Sequence, residues 1–249
     1  MILSGKVALV TGASKGLGRS MAEALSRAGA RCVLVSRDLD LLRVVEEGIR
    51  ASGGDAVSYE CDVRSEASVG ALRSQVSELF GKVHILINNA GVNVRKPVTE
   101  FTMEEWRRVL DTNLTGAFLM CREFVPLMVG QSYGRIINMT SIMSHVALPH
   151  RTAYAASKSG LLGFTKALAL ELASERITVN GISPGPIATE MNLPIIENPQ
   201  ANQQFVSRIP IGSWGRVEDI GALALYLCSD AAGFITGTDI RIDGGWTAQ

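Results

Sequence analysis

This chain has no surplus of charge of either sign. Lys and Arg together number 24, and Asp and Glu together number 24, over 249 residues. No global field therefore draws nucleic acid or an anionic membrane to it. Cysteine is sparse as well: Cys32, Cys61, Cys121 and Cys228 are scattered, with no Cys-x-x-Cys pair. That pattern argues against a disulfide scaffold or a thiolate metal site and for buried free thiols, so no metal is expected. No apolar run reaches the length of about eighteen residues that a bilayer-spanning helix needs. The opening Met1-Ile2-Leu3-Ser4-Gly5-Lys6 passes at once into a strand-like run, which leaves no room for a secretory leader. Repeats, low-complexity tracts and Pro/Ser linkers are missing too, so one unit over residues 1–249 is expected, with no separate substrate domain. Together these absences predict a soluble cytoplasmic protein in a reducing compartment.

What is present is a rhythm of short apolar runs followed by longer amphipathic ones. Val7-Ala8-Leu9-Val10 precedes residues 18–28, Cys32-Val33-Leu34-Val35 precedes 39–51, and Ala56-Val57-Ser58-Tyr59 precedes 66–80. Ile85-Leu86-Ile87 precedes 103–129, Ile136-Ile137-Asn138-Met139 precedes 153–173, and Ile177-Thr178-Val179-Asn180 follows. Continuous apolar strands alternating with helices predict an α/β, doubly wound Rossmann fold: a parallel sheet of about seven strands with helices on both faces. Gly29, Gly53, Gly81 and Gly134 are read as left-handed closures at helix ends. Residues 184–215 break the rhythm with prolines 184, 186, 194, 199 and 210. Lying beyond a strand's carboxyl end, the part from about 186 to 215 reads as a substrate-covering lid.

Thr11-Gly12-Ala13-Ser14-Lys15-Gly16-Leu17-Gly18 links the first strand to the first helix. In that context Gly12 permits the tight turn, Gly16 lets backbone approach a pyrophosphate, and Gly18 allows close packing, while the helix N-terminus offers free N–H groups. An acidic residue closing the second strand would hold free ribose hydroxyls; this strand instead ends Ser36-Arg37, and Lys15 sits in the glycine turn. Two cations and a hydroxyl favour NADP(H) over NAD(H). Asp38 is the counter-reading, but it falls beyond the strand end and suits a helix cap.

Tyr154 and Lys158 are four residues apart, a spacing that places them on one helix face about 6 Å apart along the axis. A nearby cation favours tyrosinate, which a tyrosine acting as general acid/base requires. Ser141, thirteen residues upstream of Tyr154, ends a strand and can donate to a substrate oxygen. The Asn113 amide can hold a water that connects Lys158 to solvent. Taken singly, each has a bland reading: a half-buried aromatic, a solvated lysine, a strand-end serine, a helix-kinking asparagine. Their joint occurrence with the glycine turn points to an enzyme. A binding module that senses NADP(H) without chemistry is the alternative of another class, and it would need none of the four.

With Asp62-Val63, Asn88-Asn89-Ala90-Gly91, Asn180, Pro184-Gly185 with Thr189, and Asp243-Gly244-Gly245 added to these motifs, the chain resembles the short-chain dehydrogenase/reductase family over essentially its whole length. The resemblance implies an active tetrad of Asn113, Ser141, Tyr154 and Lys158, with no position departing from the pattern. It implies that Asp62 meets the adenine edge, with Val63 beside it, and that Asn89, Ala90 and Gly91 line the cofactor cleft. By the same resemblance Pro184, Gly185, Ile187 and Thr189 lie at the nicotinamide, Lys158 also binds the nicotinamide ribose, and the protein is a homotetramer.

The expected partner is a small-molecule ketone or alcohol, reduced or oxidised at carbon by hydride transfer. Arg95, in Asn93-Val94-Arg95-Lys96-Pro97, resembles the loop of gluconate- and tropinone-type reductases, and Arg95 or His150 could reach a carboxylate or hydroxyl. Met191, Leu193, Ile195 and Ile196 could form an apolar wall. The alternative is a 3-oxoacyl-[acyl-carrier-protein] reductase. Gly130-Gln131-Ser132-Tyr133 and Ser174-Glu175-Arg176 offer only Arg176 to an acidic carrier, opposed by Glu175, so docking would be weak. The lean is to a keto-sugar acid or polyol.

Overall fold

The computed structural model describes residues 1–249, apart from the side chain of Met191, so that residue's place in an apolar wall lies outside the described residues. The strands are β1 (Val7–Thr11), β2 (Arg31–Ser36), β3 (Asp55–Glu60), β4 (Ile85–Asn88), β5 (Gly134–Met139), β6 (Ile177–Pro184) and β7 (Asp239–Ile242). They form one seven-stranded sheet in the order β3-β2-β1-β4-β5-β6-β7, every neighbouring pair parallel. The helices are α1 (Gly16–Arg27), α2 (Leu39–Ala51), α3 (Glu66–Phe80), α4 (Met103–Leu110), α5 (Gly116–Phe124), α6 (Thr152–Leu172), α7 (Leu193–Ile196), α8 (Pro199–Val206) and α9 (Val217–Cys228).

The apolar runs become strands because both sheet faces are covered. All five residues of β1 are buried. Alternate side chains go to opposite sides. Ala8, Val10, Leu34 and Ile87 pack with Met21 and Leu25 of α1, Leu42 of α2 and Ile220 of α9. Val7, Leu9, Val33 and Leu86 pack with Leu72 of α3, Phe124 of α5 and Leu168 of α6. Each fully buried Leu or Ile contributes about 1.5–3 kcal/mol. The strand order reverses between β1 and β4, and that switch opens a crevice at the carboxyl ends of the strands.

Local details depart from the sequence reading in three places. The helix expected over 103–129 is interrupted by a π turn at Asp111–Thr115, where the Gly116 N–H donates to the Asp111 carbonyl, and it ends at Phe124. Gly29, Gly53 and Gly81 have φ of 98°, 82° and 69°, but Gly134 has no positive φ. It opens β5, and a Cβ there would meet Ile177 at 2.6 Å, so close strand packing is its reason. Prolines 194 and 199 do not leave residues 184–215 irregular; each sits in the first turn of its helix, α7 or α8, where a missing N–H costs nothing. Asp38 caps α2 as expected, accepting the Leu41 N–H at 3.0 Å.

One buried group ties stability to pH. His84 Nδ1 accepts the Val7 N–H at 3.0 Å at the start of β1, and burial with the charges of Lys6 and Lys82 lowers its pKa to about 4 from the ordinary 6.5. The unfolded chain takes up this proton first, so the stability is full above pH 6.5 and declines as pH falls toward 4. The loss expected from this site is about 3 kcal/mol. Urea unfolding across that range should show a steeper acid decline for the native chain than for His84→Asn; equal slopes would refute it.

Candidate active site

The turn after β1 is shaped by contacts that forbid side chains. Gly12 and Gly16 are left-handed, with φ of 65° and 55°. A Cβ on Gly18 would lie 2.2 Å from the Gly12 carbonyl oxygen, so α1 can start this close to the turn only with glycine there. Asn89 Nδ2 donates to the carbonyls of Thr11 and Gly12 at 2.9 and 3.1 Å, and Thr11 Oγ1 accepts the N–H groups of Asn89 and Ala90 at 2.9 and 3.0 Å. The loops after β1 and β4 are thus stitched into one wall. The first turn of α1 carries no acidic residue, leaving its N–H groups and positive end for an anion.

At the far end of that wall Ser36 Oγ accepts the Asp38 N–H at 3.1 Å, and the Asp38 carboxylate is committed to the α2 cap. Lys15 and Arg37 are exposed and make none of the ion pairs found among the described residues. Asp62 lines the cleft with a partner of its own. Arg64 grips its carboxylate through Nε at 3.0 and 3.1 Å and through a terminal nitrogen at 2.6 Å, and donates its backbone N–H as well. The side-chain bond from Arg64 is the chief reason the Asp62 carboxyl is held below its usual range. The sequence signal for Arg64 was only its place two residues after Asp62, and it went unread.

Ser141 follows β5, and its Oγ accepts the Met143 N–H at 3.1 Å. Tyr154 and Lys158 stand on the inner face of α6, with Lys158 Nζ 5.6 Å from the Tyr154 ring centre. The Lys158 amine is buried and donates to the Met139 carbonyl at 2.6 Å. Burial lowers its pKa from 10.5 to about 8. Burial also raises that of Tyr154, against the pull of the Ser141 hydroxyl and the charges of Arg151 and Arg95. Arg151 and Arg95 thus add to the positive field at the phenol, alongside the Lys158 amine near its ring. The Asn113 amide accepts the Val92 N–H at 2.8 Å and donates to the Val92 carbonyl and to Ser157 Oγ, each at 3.0 Å. With both amide hydrogens engaged by protein, the side chain clamps the loop after β4 to α6, and one lone pair of its oxygen is left to accept from a water.

One cleft of about 760 Å³ collects these groups. Lining it are Gly12, Ser14, Lys15, Gly16, Leu17, Ser36, Arg37, Asp62, Val63, Asn89, Ala90, Gly91, Ser141, Tyr154, Lys158, Pro184, Gly185, Ile187 and Thr189. Gly18 and Asn113 lie behind that wall. Arg95 reaches the cleft, but His150 does not; Arg151 does instead, a residue the sequence reading missed because it resembles an ordinary solvated charge before a helix. The apolar wall is not Leu193, Ile195 and Ile196. Phe205 and Trp246 line the cleft, with Phe205 stacked on Trp214 at 4.7 Å between ring centres and 5.3 Å from the Trp246 ring.

A family model described as Enoyl-(Acyl carrier protein) reductase matches residues 12–247. The chain is 40% identical to 3beta-hydroxysteroid dehydrogenase 1 of Eggerthella lenta over 98% of this chain and 95% of that one. The chain belongs to the short-chain dehydrogenase/reductase family. It is also 36% identical to the 3-oxoacyl-[acyl-carrier-protein] reductase FabG of Aquifex aeolicus, over 98% of each chain. A solved structure from Beutenbergia cavernae, provisionally assigned as an NAD(P)-dependent gluconate 5-dehydrogenase with NADP bound at low occupancy, superposes with a TM-score of 0.94. Its identity is 34%, over 99% of this chain and 98% of that one. These relatives are named for a steroid, a carrier-bound thioester and a sugar acid, so membership fixes the reaction type and leaves the substrate open.

As a short-chain dehydrogenase/reductase the chain is an oxidoreductase acting on an alcohol or ketone, in a family that binds a nicotinamide cofactor. Its own residues fit that cofactor. At Gly16 the nearest group to an added Cβ is Glu190 Oε2 at 3.4 Å, so the turn presents bare backbone to the cleft. Among the described residues no helix is long and apolar enough to cross a membrane, and no cluster of three or more His, Cys, Asp or Glu could hold a metal.

Proposed function

We propose that this enzyme uses NADP(H) to reduce a ketone reversibly to a secondary alcohol, with Tyr154 as general acid and base. The bound nicotinamide would supply or accept a hydride. Gly12 to Gly18 would hold its phosphates at the N-terminus of α1, Lys15, Ser36 and Arg37 its 2′-phosphate, and Lys158 its ribose. The Asp62–Arg64 pair would sit at the adenine, and Asn89 to Gly91 with Pro184 to Thr189 would close over the ring. Ser141 orients the substrate oxygen. Tyr154, its pKa raised, keeps its proton at neutral pH and is ready to give it to that oxygen. Asn113 acts by positioning, through Val92 and Ser157.

The observation that supports this reading most strongly is the Tyr154 phenol lining the cleft with Ser141 beside it and the Lys158 ammonium 5.6 Å from its ring. Mixing the protein with NADPH and a panel of ketones while following NADPH absorbance tests it. A protein that only senses the cofactor would bind NADPH and consume none.

The preference for NADP(H) rests on Arg37 and Lys15 standing without carboxylate partners while Asp38 is committed to its helix. Arg37→Gln should weaken NADPH binding by about ten- to hundredfold, the worth of a charge-assisted hydrogen bond. NADH binding should change little, as read by nucleotide fluorescence titration; equal losses for both nucleotides would refute the assignment.

A small polar ketone, such as a keto-sugar acid or polyol, suits the arginine-lined end of the cleft. The 3-oxoacyl-carrier alternative is less favoured. Glu175 Oε2 accepts the Gly130 N–H at 3.2 Å, so a carboxylate stands between the two stretches that would meet an acidic carrier. The exposed Phe118 of α5 and Leu170 of α6, 44% and 81% accessible, support the homotetramer.

A further inference from the structure

Arg95 and Arg151 come from loops that the fold joins. The Lys96 N–H donates to the His150 carbonyl at 3.1 Å, so the residue beside each partner reaches the same wall of the cleft. Lys96 is discharged elsewhere, on Glu105 Oε1 at 2.5 Å. Arg151 stands just before the first residue of α6, and its carbonyl accepts the Ala155 N–H at 2.8 Å, which fixes its backbone. Neither arginine makes an ion pair among the described residues.

The acidic groups in the cleft belong to its other end. Asp38 caps α2, Asp62 is gripped by Arg64, and Glu190 faces Gly16. The groups that act on Tyr154 are Ser141, Arg151 and Arg95, with no carboxylate among them. Arg151 is half-buried and Arg95 exposed, and the two are close enough for burial and Arg95 together to hold Arg151 below its usual range. Two unpaired guanidiniums on one wall attract an anion, and the planar guanidinium matches a carboxylate in two-point geometry.

We propose that Arg95 and Arg151 form a carboxylate-binding subsite beside Tyr154, which makes the substrate a small oxo acid and the product the corresponding hydroxy acid. This rests on the reading of the cleft as a ketone-reducing site. The carbonyl carbon gains a hydride from NADPH and its oxygen gains the Tyr154 proton. The carbonyl π bond is lost, NADPH is oxidised to NADP⁺, and the carboxylate passes through unchanged.

Matched pairs test the subsite: acetoacetate against 3-oxobutanamide, and 5-ketogluconate against fructose. The native enzyme should favour the acid of at least one pair by about a hundredfold in kcat/KM, and Arg95→Gln/Arg151→Gln should lower that ratio to about one. Using the ratio cancels any effect of the lost charges on Tyr154 itself. A native ratio near one, or a ratio that survives in the double variant, overturns the subsite while leaving ketone reduction standing. Should no ketone of either kind consume NADPH, the ketone-reducing reading fails separately, and tryptophan fluorescence titrated with butanoate and with gluconate then decides the subsite. Binding of either to the native chain that is lost in the variant supports the subsite, and binding of neither overturns it. If the double variant does not fold, Arg95→Gln and Arg151→Lys are measured singly, and each should reduce the same ratio.

Discussion

Tyr154→Phe is expected to bind NADPH as the native chain does and to lose turnover by about 10²–10⁴-fold, the contribution of a positioned general acid. Only one oxygen is removed, and the ring still fills the inner face of α6. Burial holds the native phenol above its ordinary pKa, so at neutral pH it is a proton donor in place. Phenylalanine offers the reduced oxygen no proton, and in the proposed mechanism Ser141 only orients that oxygen and does not supply one. Steady-state rates with the best ketone from the panel, together with a fluorescence titration of NADPH, check both halves of the expectation. A variant with near-normal kcat would remove Tyr154 from the mechanism.

Lys158→Met should separate function from stability in the opposite sense. The native amine is 4% exposed and carries its charge in the fold up to about pH 8, against 10.5 in the unfolded chain. Folding therefore costs about 3 kcal/mol at neutral pH through this one group, a cost relieved as pH rises from 8 to 10.5. Methionine has similar length and no charge; it leaves the Met139 carbonyl without its donor, which returns about 1–2 kcal/mol of the gain. The net expectation is a protein about 1–2 kcal/mol more stable, or about 2–8 °C higher in Tm. Its kcat/KM should fall by about 10³-fold or more, because the cation beside the reacting centre is gone. By the same titration, native kcat/KM should decline as pH rises through about 8. Calorimetry and rates on one preparation test the pairing, and a variant that is less stable than native would refute the buried-charge account.

The architecture was readable because strands covered on both faces leave unbroken apolar runs, as in Val7 to Val10, and because Asp38 is a helix cap by chemistry alone. The placement of the glycine turn, Ser141, Tyr154 and Lys158 around one cleft was readable from motif spacing. What the chain concealed depends on partners distant in sequence. Nothing local in Arg151 distinguishes a cleft-lining cation from a solvated one; its place is set by a loop more than fifty residues earlier, joined through Lys96 and His150. That Asn113 clamps the loop after β4 to α6 shows only once its partners Val92 and Ser157, 21 and 44 residues away, are in place. Gly134 looked like a helix closure because strand-on-strand crowding by Ile177 has no signature in sequence.

The π turn at Asp111–Thr115 fixes more than one side chain. It holds one residue beyond regular winding, so deleting a residue there would let α4 and α5 close into unbroken α turns with their faces kept. Asn113 would then lose the bulged position from which it reaches both Val92 and Ser157, and the loop after β4 would come away from α6 in a chain that still folds.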